Sequence, residues 1–292
     1  MFAVWGPRVA GGSLLSSRNL DWVIDSGVST GKLVTVYHPP EAGRHAHATV
    51  GFAGFPGAIA GMSAAGLTVS QSNLDNSRVT MAAASWPFRL RYLMETAAEV
   101  ADVRAVYSAG AQAATAGSAN HVVAAQADAA AGRSAAVAAE CFAPSNALFS
   151  DNDPAEANAT YEGQRIGFPL PHALWRTNHA LSAALMPTQV PLWNDTLQRY
   201  DMMRQFILDA VAPPAAAGIN ESYATAIAAT LGQKGADYYT CGPDYAGGEH
   251  VISVVYNPAE QRLLAAWEDG TGPAWTPAAC TFYAPIELGA WW

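Results

Sequence analysis

Apolar and polar positions alternate through the first quarter of the chain and then shift to a helical period. Residues 2–5, Phe-Ala-Val-Trp, form a short apolar run, and the stretch after it is turn-like, with Gly11 and Gly12 as breakers. Residues 13–21 are expected to return as a strand, with Leu14 and Leu15 in its first half. Residues 32–38, Lys-Leu-Val-Thr-Val-Tyr-His, alternate and are β-branched, which reads as a strand. Gly- and Ala-rich strands are expected at 48–54 and 57–62, around Phe52 and Phe55, and another at 66–73 after a Ser-Ala-Ala-Gly turn. Strand-like segments separated by turns, before any helix, predict antiparallel sheet.

Helices follow. Pro87 suits a first turn, and residues 88–106 carry Leu90, Leu93, Met94, Ala97, Val100 and Val103 at helical spacing. Residues 105–116 are expected to continue as a second short helix. Residues 120–126 and 134–140 read as a hairpin of buried strands closing with Glu140, and 150–167 reads as an acidic loop. Further helices are expected at 197–211 and 223–231, then strands at 251–256, 263–267 and 281–288. The pattern taken alone gives an α+β layered domain.

Composition narrows the function more than the fold. Hydrophobic residues make up 51% of the 292 and charged residues 13%, so the chain can bury a large core and is not disordered. It reads as one domain over 1–292. A formal charge of -9 argues against nucleic acid as a partner, because phosphate binding needs a basic surface. No apolar run is long enough for a transmembrane segment. Cys141, Cys241 and Cys280 have no metal-site spacing; Cys241 and Cys280 could pair, but three buried thiols are the expectation. Asn-x-Ser/Thr sequons at Asn158, Asn194 and Asn220 carry meaning only in a eukaryotic secretory setting.

Two short motifs carry the chemistry. Ser16-Ser17-Arg18-Asn19-Leu20-Asp21-Trp22 stands one hairpin from the start, and Arg176-Thr177-Asn178-His179 stands in mid-chain. Together they resemble the N-terminal-nucleophile (Ntn) hydrolases, in the branch with choloylglycine hydrolases, acid ceramidase-like amidases and penicillin acyltransferase-type enzymes. The resemblance spans most of the chain and implies a four-layer αββα sandwich of two antiparallel sheets. It also implies a cysteine that opens the mature chain and attacks a linear amide, its own α-amine serving as general base.

The resemblance assigns roles residue by residue. Arg18 is expected beside the cysteine, favouring thiolate and contacting substrate, and Asp21 is expected to accept from the α-amine. Asn73, closing the 66–73 strand, and Asn178 are expected to hold the oxyanion, a task for which an amide donates without titrating. Arg199 is expected to support the charge network near the site. His179 is read as a structural hydrogen-bonder, since an Ntn enzyme already has its base. Trp5, Trp22, Phe52, Phe55, Trp86 and Trp175 are candidates for an acyl-tail pocket, the plain alternative being core. No metal or organic cofactor is implied. A small acyl-amide or lipid-like molecule is the expected partner, and homo-oligomerisation stays open.

The expected nucleophile is not at position 1 or 2, which hold Met and Phe. Matching the apolar strand to the family places the cysteine just upstream of Met1, so the expectation is a chain that lacks a short N-terminal piece. The alternatives are a ligand-binding homologue without activity and a lipid-ester hydrolase on the same fold. Other patterns fail: Gly51, Gly54 and Gly57 are followed by no Gly-Lys-Ser/Thr, and residues 151–153 lack the glycine and distal Glu of a calcium loop. Ala65 stands where a nucleophile elbow needs glycine.

Overall fold

Alternating burial builds two sheets, and each turns its second face to helices. The computed structural model describes residues 1–23, 27–77, 79–109, 115–142, 146–189, 192, 194–212, 217–230, 241, 250–271 and 274–292. The chain opens with the hairpin β1 (Phe2–Trp5) and β2 (Leu14–Asp21). The connection turns on Gly11 and Gly12, both in the left-handed region at φ 86° and 75°, which costs glycine little. An antiparallel meander follows: β3 (Lys32–Tyr37), β4 (His47–Phe52), β5 (Ala60–Ser63) and β6 (Leu67–Asn73).

The two-residue β7 (Ala84–Ser85) leads into α1 (Trp86–Thr96) and α2 (Val100–Ser108), and β8 (Thr115–Ala116) pairs with β7. Next come β9 (Ala119–Ala125), the short α3 (Gln126–Ala130), β10 (Ala136–Cys141), β11 (Asn146–Phe149) and α4 (Pro154–Ala157). A small hairpin of β12 (Thr160–Tyr161) and β13 (Gln164–Arg165) precedes β14 (Ala173–Trp175). The chain closes with α5 (Asn194–Asp209), α6 (Glu221–Thr230), β15 (His250–Asn257), β16 (Arg262–Trp267) and β17 (Ala284–Glu287).

The first sheet has the order β14-β1-β2-β15-β16-β17 and the second β11-β10-β9-β6-β5-β4-β3, all pairs antiparallel. They face each other with β2 against β6 and β9. Helices α1 and α2 cover the outer face of the second sheet, and α5 and α6 that of the first. This is the αββα order that the resemblance implies. Leu67, Val69, Val123, Ala125, Val137 and Ala139 turn toward α1 and α2, where Leu90, Leu93, Met94 and Val103 meet them. Between the sheets, Ala48, Val50, Ala60 and Met62 pack with Ile252, Val254, Tyr256 and Leu263. Burial of these apolar side chains, about 1.5–3 kcal/mol for each large one, holds the layers together.

Several expectations change. The helix expected at 88–106 is two helices: Ala97 is extended (φ -108°, ψ 141°), and Glu99 and Asp102 form a capping box that starts α2. Both helices lie on one sheet face, so the apolar period runs through the break. The short helix expected at 105–116 gives way to the end of α2 and to strand β8; residues 110–114 lie outside the described residues. The 150–167 loop holds α4, capped by the Asp153 side chain on the Ala155 amide, and the β12–β13 hairpin. The helix expected at 223–231 runs from Glu221 to Thr230, and Leu231 lies outside the described residues. The expectation of three thiols is also corrected: Cys241 and Cys280, Cα atoms 5.3 Å apart, form a disulfide, and Cys141 is a buried free thiol.

Candidate active site

The strand ends that meet beside Met1 leave a cavity of about 490 Å³. Met1 sits at its polar end, held by a two-way backbone pair with Arg176: the Arg176 amide donates to the Met1 carbonyl (3.0 Å) and the terminal amine donates to the Arg176 carbonyl (3.2 Å). Arg18, Asp21, Asn73, Asn178 and Arg199 all line this cavity. The five lie far apart in sequence, and β2, β6, the segment after β14 and the first turns of α5 bring them together.

Arg18 is 2% exposed and crosses from one sheet to the other, its Nε donating to the Gln71 carbonyl at 2.9 Å. Its Nη1 has no hydrogen-bond partner among the described residues. Burial lowers its pKa to about 10, with Tyr256 and Asp21 opposing. Asp21 closes β2, and its Oδ1 lies 3.2 Å from Nε2 of buried His250, the residue paired with it across the ladder on β15. The α-amine at Met1 is depressed to about 5, first by burial, then by Arg18 and Arg199, with Asp21 opposing. An amine in this environment is neutral at pH 7 and able to take a proton.

Asn73 and Asn178 are neighbours: Asn178 Nδ2 donates to the Asn73 carbonyl at 3.1 Å. Asn73 Nδ2 donates to Asp75 at 2.7 Å. Each amide nitrogen carries two hydrogens, so each keeps one for a ligand. Arg199 donates to Asn178 Oδ1 (3.2 Å) and pairs with Asp195 one turn back (3.0 Å). That contact fixes the amide with its oxygen toward Arg199. His179 is buried, bonded to the hydroxyls of Thr177 and Thr196 at 3.1 Å each, and lowered to about 3 by burial, then Arg176 and Arg199. A histidine so placed is neutral and does not serve as a base exchanging protons near pH 7.

The other end of the cavity is apolar. Trp22, Phe52, Phe55 and Trp86 line it, four of the six aromatic candidates. Trp5 and Trp175 are instead 1% exposed and belong to the core under α5. The sequence reading missed the supporting groups: Gln71, which receives Arg18; Thr196, whose hydroxyl takes the Asn178 amide at 2.8 Å; and the buried trio Arg176, Glu140 and Glu156. A lone carboxylate ending the apolar 134–140 strand was the available signal for Glu140. Among the described residues, no group of three or more His, Cys, Asp or Glu could hold a metal ion. No described helix is long and apolar enough to cross a membrane.

No family profile matches the chain, and no curated protein sequence matches it. Solved structures do. A mutant conjugated bile acid hydrolase from Clostridium perfringens aligns over 99% of this chain and 93% of its own, with a TM-score of 0.59 and 12% identity. A Caenorhabditis elegans ortholog of N-acylethanolamine-hydrolyzing acid amidase aligns over 88% and 92%, with a TM-score of 0.55 and 13% identity. Penicillin V acylase from Agrobacterium tumefaciens aligns over 91% and 83%, with a TM-score of 0.51 and 10% identity. The chain therefore has the Ntn-hydrolase fold of these enzymes over nearly its whole length.

Proposed function

We propose that this chain is the body of a cysteine-type Ntn amidohydrolase or acyltransferase acting on linear acyl-amides, with the nucleophilic cysteine carried just upstream of Met1. The observation that carries the reading is the convergence of Arg18, Asp21, Asn73, Asn178 and Arg199 on one cavity with the start of β1. The three structural neighbours, named as an acid amidase, a conjugated bile acid hydrolase and a penicillin V acylase, support it.

In this reading the thiol passes its proton to the α-amine of its own residue, and the thiolate adds to the amide carbonyl. Arg18 and Arg199 favour thiolate, and burial, then the two arginines, keep the amine unprotonated at rest, as they do at Met1. Asp21 orients the amine. The free N–H groups of Asn73 and Asn178 take the oxyanion, which collapses and expels the amine product as it collects the stored proton. The acyl group is then on sulfur, and water or a second amine removes it by the same steps in reverse. The aromatic end takes the acyl portion.

The test adds a cysteine one, two or three residues ahead of Met1, exposed with a free α-amine by removal of the initiator methionine. Each form is assayed on a panel of chromogenic acyl-amides, with the same extension carrying alanine as control. Turnover and a mass increase of one acyl group are expected in at least one form and in no alanine control. Asn73→Ala in that form should lower kcat by about 10²–10³ at equal stability. Absence of turnover and of acylation in all three registers would sink the proposal.

A further inference from the structure

Asn178 sits on a segment with no regular secondary structure, 176–182, yet most backbone polar groups there have a partner. The Thr177 carbonyl receives Ser72 Oγ (2.9 Å) and Asn120 Nδ2 (3.0 Å), and the His179 carbonyl receives the same Asn120 amide (3.2 Å). The Asn178 amide donates to Thr196 Oγ1, its carbonyl receives Gln189 Nε2, and the Ala180 amide donates to Gln189 Oε1. The two ends of the segment meet on one group. Glu140, fully buried on β10, accepts the Leu181 amide on Oε1 (2.8 Å) and the Ser182 amide on Oε2 (2.9 Å). Its Oε1 also lies 3.6 Å from Arg176 Nε at the other end.

We propose that Glu140 is a positioning residue for Asn178: its carboxylate grips residue 176 and residues 181–182 together, and so bends the segment between them to present Asn178 to the cavity. The activity part of this proposal rests on the amidohydrolase reading above; the geometric part does not. A neutral side chain cannot replace the carboxylate fully. Each oxygen already accepts an N–H, so the amide NH2 of glutamine sets donor against donor, and a proton on either oxygen removes the negative charge that strengthens both contacts.

That makes the clamp sensitive to protonation. Burial raises the Glu140 pKa to about 7, against the pull of Arg176 and the Leu181 and Ser182 amides, with Glu156 adding to the rise. The groups packed around it are Arg176, which pairs with both glutamates; Glu156 on α4, 2.9 Å from Arg176 Nη2; Tyr200 on α5, bonded to Glu156; and the neutral His179. Cys141, next on β10, faces the helices on the other side of the sheet. Lowering the pH through 7 therefore neutralises Glu140, weakens its hold on the two amides and on Arg176, and loosens the Asn178 segment.

The experiment follows amide resonances of the ¹⁵N-labelled 292-residue chain from pH 5.5 to 8.5. The backbone amides of Leu181 and Ser182 and the side-chain amide of Asn178 are expected to shift together, with a midpoint near 7. In Glu140→Gln the three should be flat. The wild-type titration decides even if the variant fails to fold. Leu181 and Ser182 moving while Asn178 stays still would overturn the proposal, and so would no movement of Leu181 and Ser182. In the cysteine-extended form, Glu140→Gln should lose about 10- to 100-fold in kcat, keep KM within about twofold and lose the acidic limb near pH 7. If no extended form turns over, the amidohydrolase reading fails and the resonances still judge the clamp.

Discussion

His121 and His179 are kept neutral by burial at opposite faces of the second sheet, and both are lowered to about 3. His121 lies under α2, bonded to the Tyr107 hydroxyl, with Cys141 Sγ 3.5 Å away; after burial, Arg89 contributes to its shift. A histidine titrates near 6.5 when unfolded, so between 6.5 and about 3 the unfolded chain binds the extra proton. The stability each contributes is complete above 6.5 and is lost as pH falls toward 3. Replacing His121 by glutamine removes that dependence. The wild-type minus variant unfolding free energy should shrink by at most about 1.4 kcal/mol per pH unit below 6.5. Urea titrations from pH 7 to pH 4 check this, and a constant difference would mean His121 titrates as it does in the unfolded chain. Glu140 runs the other way: raised from 4.5 to about 7, its contribution is lost as pH rises through that window. At this scale the residues lining the cavity were legible where they stand in short motifs, as in Arg18–Asp21 and Thr177–Asn178. The partners Gln71, Asn120 and Thr196 were not, because a polar residue that satisfies a distant backbone group has no local pattern.

Among the elements, β5 and α1 show how a small residue sets a helix on a sheet. A Cβ on Gly61 would meet the Ala48 carbonyl oxygen at 2.6 Å and Met94 Sδ at 2.7 Å. The first is backbone of the neighbouring strand, so relief takes a shift between β4 and β5 as well as repacking of Met94. Gly61→Ala is expected to cost about 1–3 kcal/mol as overpacking, read as a lower urea midpoint with unchanged slope. A midpoint within error of wild type would mean that both the β4 backbone at Ala48 and the Met94 side chain give way without cost. The long strands β3, β6, β9 and β10 were legible because alternation or a buried apolar run extends over six or seven residues. The pairs β7–β8 and β12–β13 were not, since two residues hold no period. The split between α1 and α2 was hidden for the opposite reason: Leu93 and Val103 share one apolar face on both sides of the break. The Glu99–Asp102 capping box was the local signal, a start motif lying inside a stretch read as continuous.

At the level of the whole molecule, the two sheets are joined by apolar packing along most of their length and by polar contacts onto β6. Ser16 bonds Thr68 at 2.9 Å, Tyr256 reaches the Val69 carbonyl at 3.4 Å, and Arg18 reaches Gln71. The layer order came from the motifs and their resemblance; the apolar pattern alone gave only an α+β domain, because it does not say which sheet face meets which. Arg18 is the costly member of this seam, a charge almost out of water with one guanidinium nitrogen unpartnered among the described residues. A charge kept for stability would be fully paired, and removing it would cost about 3–5 kcal/mol. A charge kept for a ligand gives a different result. Arg18→Met fills similar volume and ends the desolvation cost, but it leaves the Gln71 carbonyl without its donor, a loss of about 1–3 kcal/mol. These oppose each other, so the variant should unfold within about 1 kcal/mol of wild type in urea. In the cysteine-extended form the same substitution should remove acylation, since the thiol would lose its cationic neighbour. A loss of about 3 kcal/mol or more would make Arg18 a tie between the sheets. Retained acylation at unchanged stability would take it out of the reaction altogether.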